Sequence, residues 1–354
     1  MKEKPWSEFA PNSLAQWVEN ARQELGGEDP FVKLKISKGN LSVLPYYEAR
    51  NTAPAQGFSL PSSQQIFLGA RGWFNAPKIL VENESQANQK ALQWLNDGAD
   101  GVFFQLTQTT TDWAALFKGV EFPYCAVFLE TNAACRQDFM EFLQRLHPGA
   151  SLAGAFFGTS LEKPSAHTGV RFSDCGLTLA EMASPTETLV NALLQARNKV
   201  DELLSLGSPV QASFERLSFQ VPIGTDFFSA IAQLRALRAV LRLLALAYGV
   251  NHYQPHLHAI SKPWIAPAYQ PHGNLLKGTV AALAAVLGGC DSLTVEPEET
   301  NQALMERMAK NISLLFREEA QLAHVADPVA GSYYVETISQ QMANEAWTIF
   351  SDKE

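Results

Sequence analysis

From about residue 64 the chain alternates short apolar runs with longer stretches of helical spacing, and this rhythm restricts what it can fold into. The apolar runs are Ile79–Val81, Gly101–Leu106, Cys125–Glu130, Leu152–Phe157, Gly169–Phe172 and Leu217–Val221. The helical segments are Glu84–Asn96, Ala133–Leu146, Pro185–Leu206, Phe227–Tyr248, Asn274–Leu287, Gln302–Glu319 and Ile338–Ile349. Buried strands alternating with helices predict an α/β protein with a parallel sheet and crossover helices. About seven or eight such units fit a (β/α)8 TIM barrel better than an open doubly wound sheet. Neither G-x-G-x-x-G after a strand nor G-x-x-x-x-G-K-[ST] occurs, so dinucleotide and Walker-type phosphate sites have no support.

Residues 1–60 read differently, as an extended N-terminal arm ahead of a barrel domain spanning 61–354. Ser13–Leu25 predicts a capped amphipathic helix ending at Gly26-Gly27, and the alternation in Phe31–Ile36 predicts a half-exposed strand. The 27 basic and 36 acidic residues give a net charge of −9 with no concentrated basic stretch, which argues against nucleic-acid binding. No apolar run is long enough to span a membrane, and no secretory signal follows the first residues. The scattered Cys125, Cys135, Cys175 and Cys290 predict reduced, buried thiols and a cytoplasmic or organelle-matrix chain, with cytoplasmic the expectation carried forward.

His256 and His258, in NHYQPHLHA, would share one face of a strand. No nearby carboxylate or cysteine completes a metal site, so a cavity-lining or structural role is expected for them. Arg235, Arg238 and Arg242 line one face of the helix Phe227–Tyr248, either as solvated cations or with one turned inward onto a carboxylate or partner. Gly288-Gly289 reads as a helix stop. Tyr333 and Tyr334 read as an adjacent pair in extended chain, one of them facing inward.

Four blocks resemble the coenzyme-B12-dependent methylmalonyl-CoA mutase family. They are GNLSVLPYYEARN (Gly39–Asn51), RLSFQVPIGTDFFSAIAQLRALRAVL (Arg216–Leu241), TVAALAAVLGGCDSL (Thr279–Leu293) and VADPVAGSYYVE (Val325–Glu336). The resemblance implies a β/α barrel threaded along its axis by the pantetheine arm of an acyl-CoA. It also implies adenosylcobalamin, held by a separate domain bearing D-x-H-x-x-G.

The departures from the family pattern are concentrated at the family's functional positions. No D-x-H-x-x-G is present, so no cobalamin-binding domain is expected in this chain. Against the family's "R-P-W-T-I-R-Q-Y", Arg71 and Trp73 persist, but Ala76 stands at the second arginine position and Lys78 at the tyrosine position. Thr178 replaces the histidine of "S-G-Y-H-x-x-E", while Glu181 survives. In the counterpart of "H-x-Q-T-S-G-W", His258 and Trp264 survive, with Ile260 for the glutamine and Pro263 for the glycine. Asp291 replaces the glutamine of "G-G-x-Q-S-L".

A barrel lacking several of these groups should fold without rearranging substrate, because the hard chemistry belongs to the cofactor and the protein must orient and shield the substrate. The resemblance therefore implies the non-catalytic small subunit of a heterodimeric isomerase. This chain would support a larger catalytic mutase subunit, be inactive alone and bind no cobalamin by itself; a homodimer is the other assembly considered. Arg71 and His258 are the expected substrate contacts if an acyl-CoA binds, and Phe104, Leu106 and Glu181 the expected channel lining. The alternative is an active acyl-CoA mutase barrel with altered substrate choice, taking cobalamin from another chain or from a missing C-terminal domain. An unrelated barrel enzyme using His258 is the third possibility.

Overall fold

The computed structural model describes residues 13–38, 41–48, 58, 60, 68–108, 111–131, 133–146, 151–158, 171–261, 272–300 and 302–353. Part of the Gly39–Asn51 block and Lys262–Trp264 lie outside them.

The arm begins with α1 (Leu14–Glu24), capped by Ser13, whose side chain accepts from the Gln16 N–H in a capping box. The strand expected over Phe31–Ile36 is instead a helical turn, α2 (Pro30–Lys33), followed by β1 (Ile36–Lys38). Asp29 caps that turn and Pro30 occupies its first position with φ already set, which outweighs the alternation. β1 pairs antiparallel with β2 (Leu41–Val43). Trp17 packs on Phe31 and Tyr46.

Two five-stranded parallel sheets follow. One runs β4 (Lys78–Val81), β5 (Gly101–Leu106), β6 (Ala126–Thr131), β7 (Ser151–Gly158) and β8 (Arg171–Ser173). The other runs β3 (Phe74–Asn75), β12 (Ser292–Val295), β11 (His256–Ser261), β10 (Leu217–Ile223) and β9 (Cys175–Thr178). β3 and β4 are halves of one barrel strand broken at Ala76-Pro77, and β8 and β9 are halves of another broken at Asp174. The two sheets therefore close into eight barrel positions. Gly176 permits the seam, since a Cβ there would lie 1.6 Å from the Phe156 carbonyl oxygen of β7.

The helices between strands are α3 (Glu84–Asn96), α4 (Trp113–Leu116), α5 (Ala133–Leu146), α6 (Pro185–Ser205), α7 (Val210–Glu215), α8 (Phe227–Ala247), α9 (Gly273–Gly288) and α10 (Ala303–Glu318). α11 (Tyr333–Ser351) packs outside them, across α6 and α8. Tyr333 and Tyr334 open this helix instead of lying in extended chain, because Ser332 caps it by accepting from the Val335 N–H. Tyr334 anchors the arm, meeting Tyr47 and Phe228 edge-on. Gly289 ends α9 in the left-handed region at φ 94°.

Two of the three α8 arginines are buried ion-pair partners, not solvated cations. Arg235 Nη1 donates to both Asp327 oxygens at 2.8 and 2.9 Å. Arg238 donates to Asp291 at 2.7 Å and to the carbonyls of Pro255 and Gly289. The resemblance blocks are thereby tied to one another: Arg235 of the second holds Asp327 of the fourth, and Arg238 holds Asp291 of the third. All four cysteines are buried thiols. No helix among the described residues is long and apolar enough to cross a membrane.

Candidate functional site

In a β/α barrel, chemistry belongs at the carboxyl ends of the strands, above a packed interior. Side chains alternate between axis and helix layer, so one residue of parity decides which of them line the centre. The axis is filled by Phe103 of β5, Phe128 of β6, Phe157 of β7 and His258 of β11, each no more than 2% exposed. The three phenyl centroids lie 6.1–6.5 Å apart, and the imidazole lies 4.8–5.4 Å from each. These are contact separations for aromatic rings. Ala76, Ala126 and Ala155 pack into the same cluster.

A directional hydrogen-bond chain runs beside this plug. Thr294 Oγ1 donates to the Ala76 carbonyl at 2.5 Å, so it must accept from His258 Nε2 at 3.2 Å. His258 therefore carries its proton on Nε2, and its Nδ1 accepts from the Ser292 hydroxyl at 2.7 Å. With its proton so used, Ser292 Oγ accepts from His256 Nε2 at 2.9 Å. The tautomers are assigned by this network. Burial first, then the positive potential of His256 and Lys78, holds His258 well below the ordinary histidine range. A neutral imidazole with both nitrogens engaged and aromatic rings around it is a structural side chain.

Above the plug is a small mouth of about 110 Å³ lined by Lys78, Glu130, Thr178, Gln220, Ile260 and Glu296, among others. Lys78 Nζ lies 3.0 Å from Glu296, 3.5 Å from Glu130 and 5.7 Å from the Phe103 ring centre. Thr178 Oγ1 donates to Gln220 Oε1 at 3.0 Å. Lys78 and Thr178, the replacements for the family tyrosine and histidine, thus meet in one mouth whose polar groups satisfy each other.

The other expected site residues fall elsewhere. Arg71 lies buried at the amino-terminal end, where its guanidinium donates to the Val286 carbonyl at 3.1 Å and to that of Cys290. It thereby complements the C-terminal end of α9. Phe104 and Leu106 have the opposite parity and pack in the helix-side core with Phe117 and Leu116. Glu181 is exposed at the rim, near Gly224. Sequence reasoning missed Phe103, Phe128 and Phe157. Gln105 and Glu130 carried a usable signal: polar residues at strand ends mark the inward parity, and Phe103 and Phe128 lie two residues before them.

At the amino-terminal end, Asp174 accepts from Arg136 at 3.0 Å and from Arg216 at 2.7 Å. Burial opposes its ionisation, but the Arg216 hydrogen bond and the two guanidinium charges outweigh this and hold it below the usual carboxylate range. Among the described residues no group of three or more His, Cys, Asp and Glu side chains is placed to hold a metal ion.

A family model described as methylmalonyl-CoA mutase matches residues 174–354. The methylmalonyl-CoA mutase small subunit of Porphyromonas gingivalis is 28% identical over 99% of this chain and 64% of that protein. That of Streptomyces virginiae is 28% identical over 98% of this chain and 64% of that protein. The methylmalonyl-CoA mutase of Escherichia coli is 28% identical over 52% of this chain and 25% of that protein. The chain spans about 64% of the length of the two small-subunit relatives. By the residues matched, including both carboxylates of the α8 ion pairs, the chain belongs to the methylmalonyl-CoA mutase family.

Proposed function

We propose that this chain is the non-catalytic small subunit of a methylmalonyl-CoA mutase, an isomerase in which a larger subunit performs the chemistry. The observation that carries this reading is the filled axis. Phe103, Phe128, Phe157 and His258 pack together on the axis, along which the family resemblance would thread a pantetheine arm. The mouth residues do not fit adenosylcobalamin either. Among the described residues the lining presents two carboxylates around one ammonium and includes no histidine or aromatic side chain, around about 110 Å³. No reaction step is assigned to this chain.

Its work is structural: a rigid barrel and an arm offered to a partner. The small-subunit names of its relatives support a larger mutase subunit as that partner. Residues 1–60 are the proposed contact arm and 61–354 the barrel, acting in the cytoplasm. Val32, Leu34 and Ile36 of the arm are exposed at 77%, 42% and 53%, an apolar strip of the kind that a partner covers.

The test is calorimetric titration of the isolated chain with methylmalonyl-CoA and succinyl-CoA, alongside a turnover assay with added adenosylcobalamin. No binding and no turnover are expected, with stable association on co-expression with the larger subunit. Turnover by the chain plus cofactor would overturn the reading.

A further inference from the structure

The first resemblance block contributes no described residue to the mouth or the plug. Its described residues lie in the arm, and the arm divides where β1 pairs with β2. On the outer side, residues 13–37 bury only Pro30, and none of their side chains joins a hydrophobic cluster of the core. α1 and α2 are capped by their own Ser13 and Asp29, and Trp17 rests on Phe31 and, across the divide, on Tyr46. Such a limb buries little apolar area that would hold it to the barrel.

The inner side is packed as a core is. Leu41 and Val43 of β2, Phe58 and Leu60 are 3%, 8%, 5% and 7% exposed. β2 lies against α11, and Phe58 reaches residues of both α8 and α11. Tyr47 meets Tyr334 of α11, which meets Phe228 of α8. Leu60 makes the closest join. Its N–H donates to Asp327 Oδ2 at 3.2 Å, on the carboxylate that Arg235 of α8 holds. Its side chain sits on Gly289 at the end of α9, where a Cβ would lie 2.5 Å from Leu60 Cδ2. One arm residue therefore touches the stop of α9 and the buried ion pair of α8 together.

We propose that β2, Tyr47, Phe58 and Leu60 form a strap that locks α8, α9 and α11 into one cooperative unit, while residues 13–37 form a limb that opens without it. Buried side chains shared among three helices make those helices open together. The limb is tied on by the β1–β2 pairing of three residues a side, and a two-stranded ribbon is marginal by itself. This division goes beyond the subunit reading and leaves the limb as the part of the arm that can leave the barrel.

The experiment is native-state hydrogen exchange on the full chain, read at single amides through a urea series. The Leu60 amide is expected to lose protection at the same urea concentration as the slowest amides of α8 and α11, and the α1 amides well below it. Leu60→Ala should speed exchange in α8 and α11 by about tenfold or more, and Trp17→Ala by less than about twofold, because only the first loses packing shared with the barrel. Circular dichroism checks that each variant folds; should Leu60→Ala not fold, the urea series on the parent chain decides alone. A Leu60 amide that exchanges with those of α1, or a Leu60→Ala variant that speeds exchange in the arm only, overturns the strap. Trp17→Ala speeding α11 as much as Leu60→Ala does overturns the division. The subunit reading is tested by titration and turnover and stands or falls separately.

Discussion

Replacing Ser292 by alanine removes the one atom that joins the two barrel histidines. In the parent chain Ser292 Oγ accepts from His256 Nε2 at 2.9 Å and donates to His258 Nδ1 at 2.7 Å. The variant leaves the His258 Nδ1 acceptor without a partner in the barrel interior, where His258 is 0% exposed, and releases the donor of the half-buried His256. At about 1–3 kcal/mol for a stranded buried group, the loss is about 1–3 kcal/mol, a sizeable part of the total stability of a typical domain. Urea denaturation at pH 8 measures it, where both imidazoles are neutral in the folded and unfolded chains. The double variant Ser292→Ala with His258→Leu should recover part of the loss, because the acceptor is removed with its donor. Long-range nitrogen–proton NMR on the parent chain reads the tautomers directly, and both rings should be protonated at Nε2. A loss below about 0.5 kcal/mol for Ser292→Ala, or a His258 ring protonated at Nδ1, would refute the chain of donors.

Asp291→Gln restores the residue of the family pattern but leaves Arg238, 3% exposed, without its carboxylate, and should cost about 3–5 kcal/mol by urea titration. Arg238→Met combined with Asp291→Leu should cost less than that single change. Burial holds His258 and His256 below the ordinary histidine value of 6.5, so between that pH and their folded values the unfolded chain binds more protons and stability rises with pH. The contribution is complete above the unfolded value and is lost as the pH falls below it, by about 1.4 kcal/mol per pH unit for each histidine; a flat urea midpoint from pH 7 to 5 would contradict this. Burial pushes the thiols of Cys125 and Cys175 up to about 11 and that of Cys290 up to about 12, so a disulfide thiol reagent at pH 8 should leave all three unlabelled until the chain is unfolded.

The barrel was legible in the sequence because its signal is repeated: Glu84–Asn96 and Ala133–Leu146 have the same bounds in sequence and structure. Period alone failed where local chemistry competed. Asp29-Pro30 turned an alternating segment into a helical turn, and Ser332 drew two tyrosines into a helix. The mouth was legible through substitutions, which marked Lys78 and Thr178 by what they replace. The plug was not, because "GVFFQL" places two phenylalanines side by side and hydrophobicity cannot say which one faces the axis. Arg71 had the same ambiguity: a persisting arginine reads equally as an anion contact or as a cap on backbone carbonyls, and only the position of α9 separates the two.

That ambiguity explains why a family's longest motifs report on the barrel more than on its mouth. Arg235 with Asp327 and Arg238 with Asp291 join the second, third and fourth blocks through buried ion pairs that involve none of the mouth residues. Such buried charges are costly to break singly, so they persist whether or not the barrel has a substrate. The mouth is under the opposite constraint. For stability alone, any set of groups that satisfies itself suffices there. Lys78 between Glu130 and Glu296, and Thr178 on Gln220, are such a set. Even Asp291, a departure from the family pattern, is a repaired one, since its carboxylate accepts from both Arg238 and the Leu257 N–H. Resemblance in these blocks therefore transmits the barrel, while the side chains on its axis and at its mouth are set by contacts of their own.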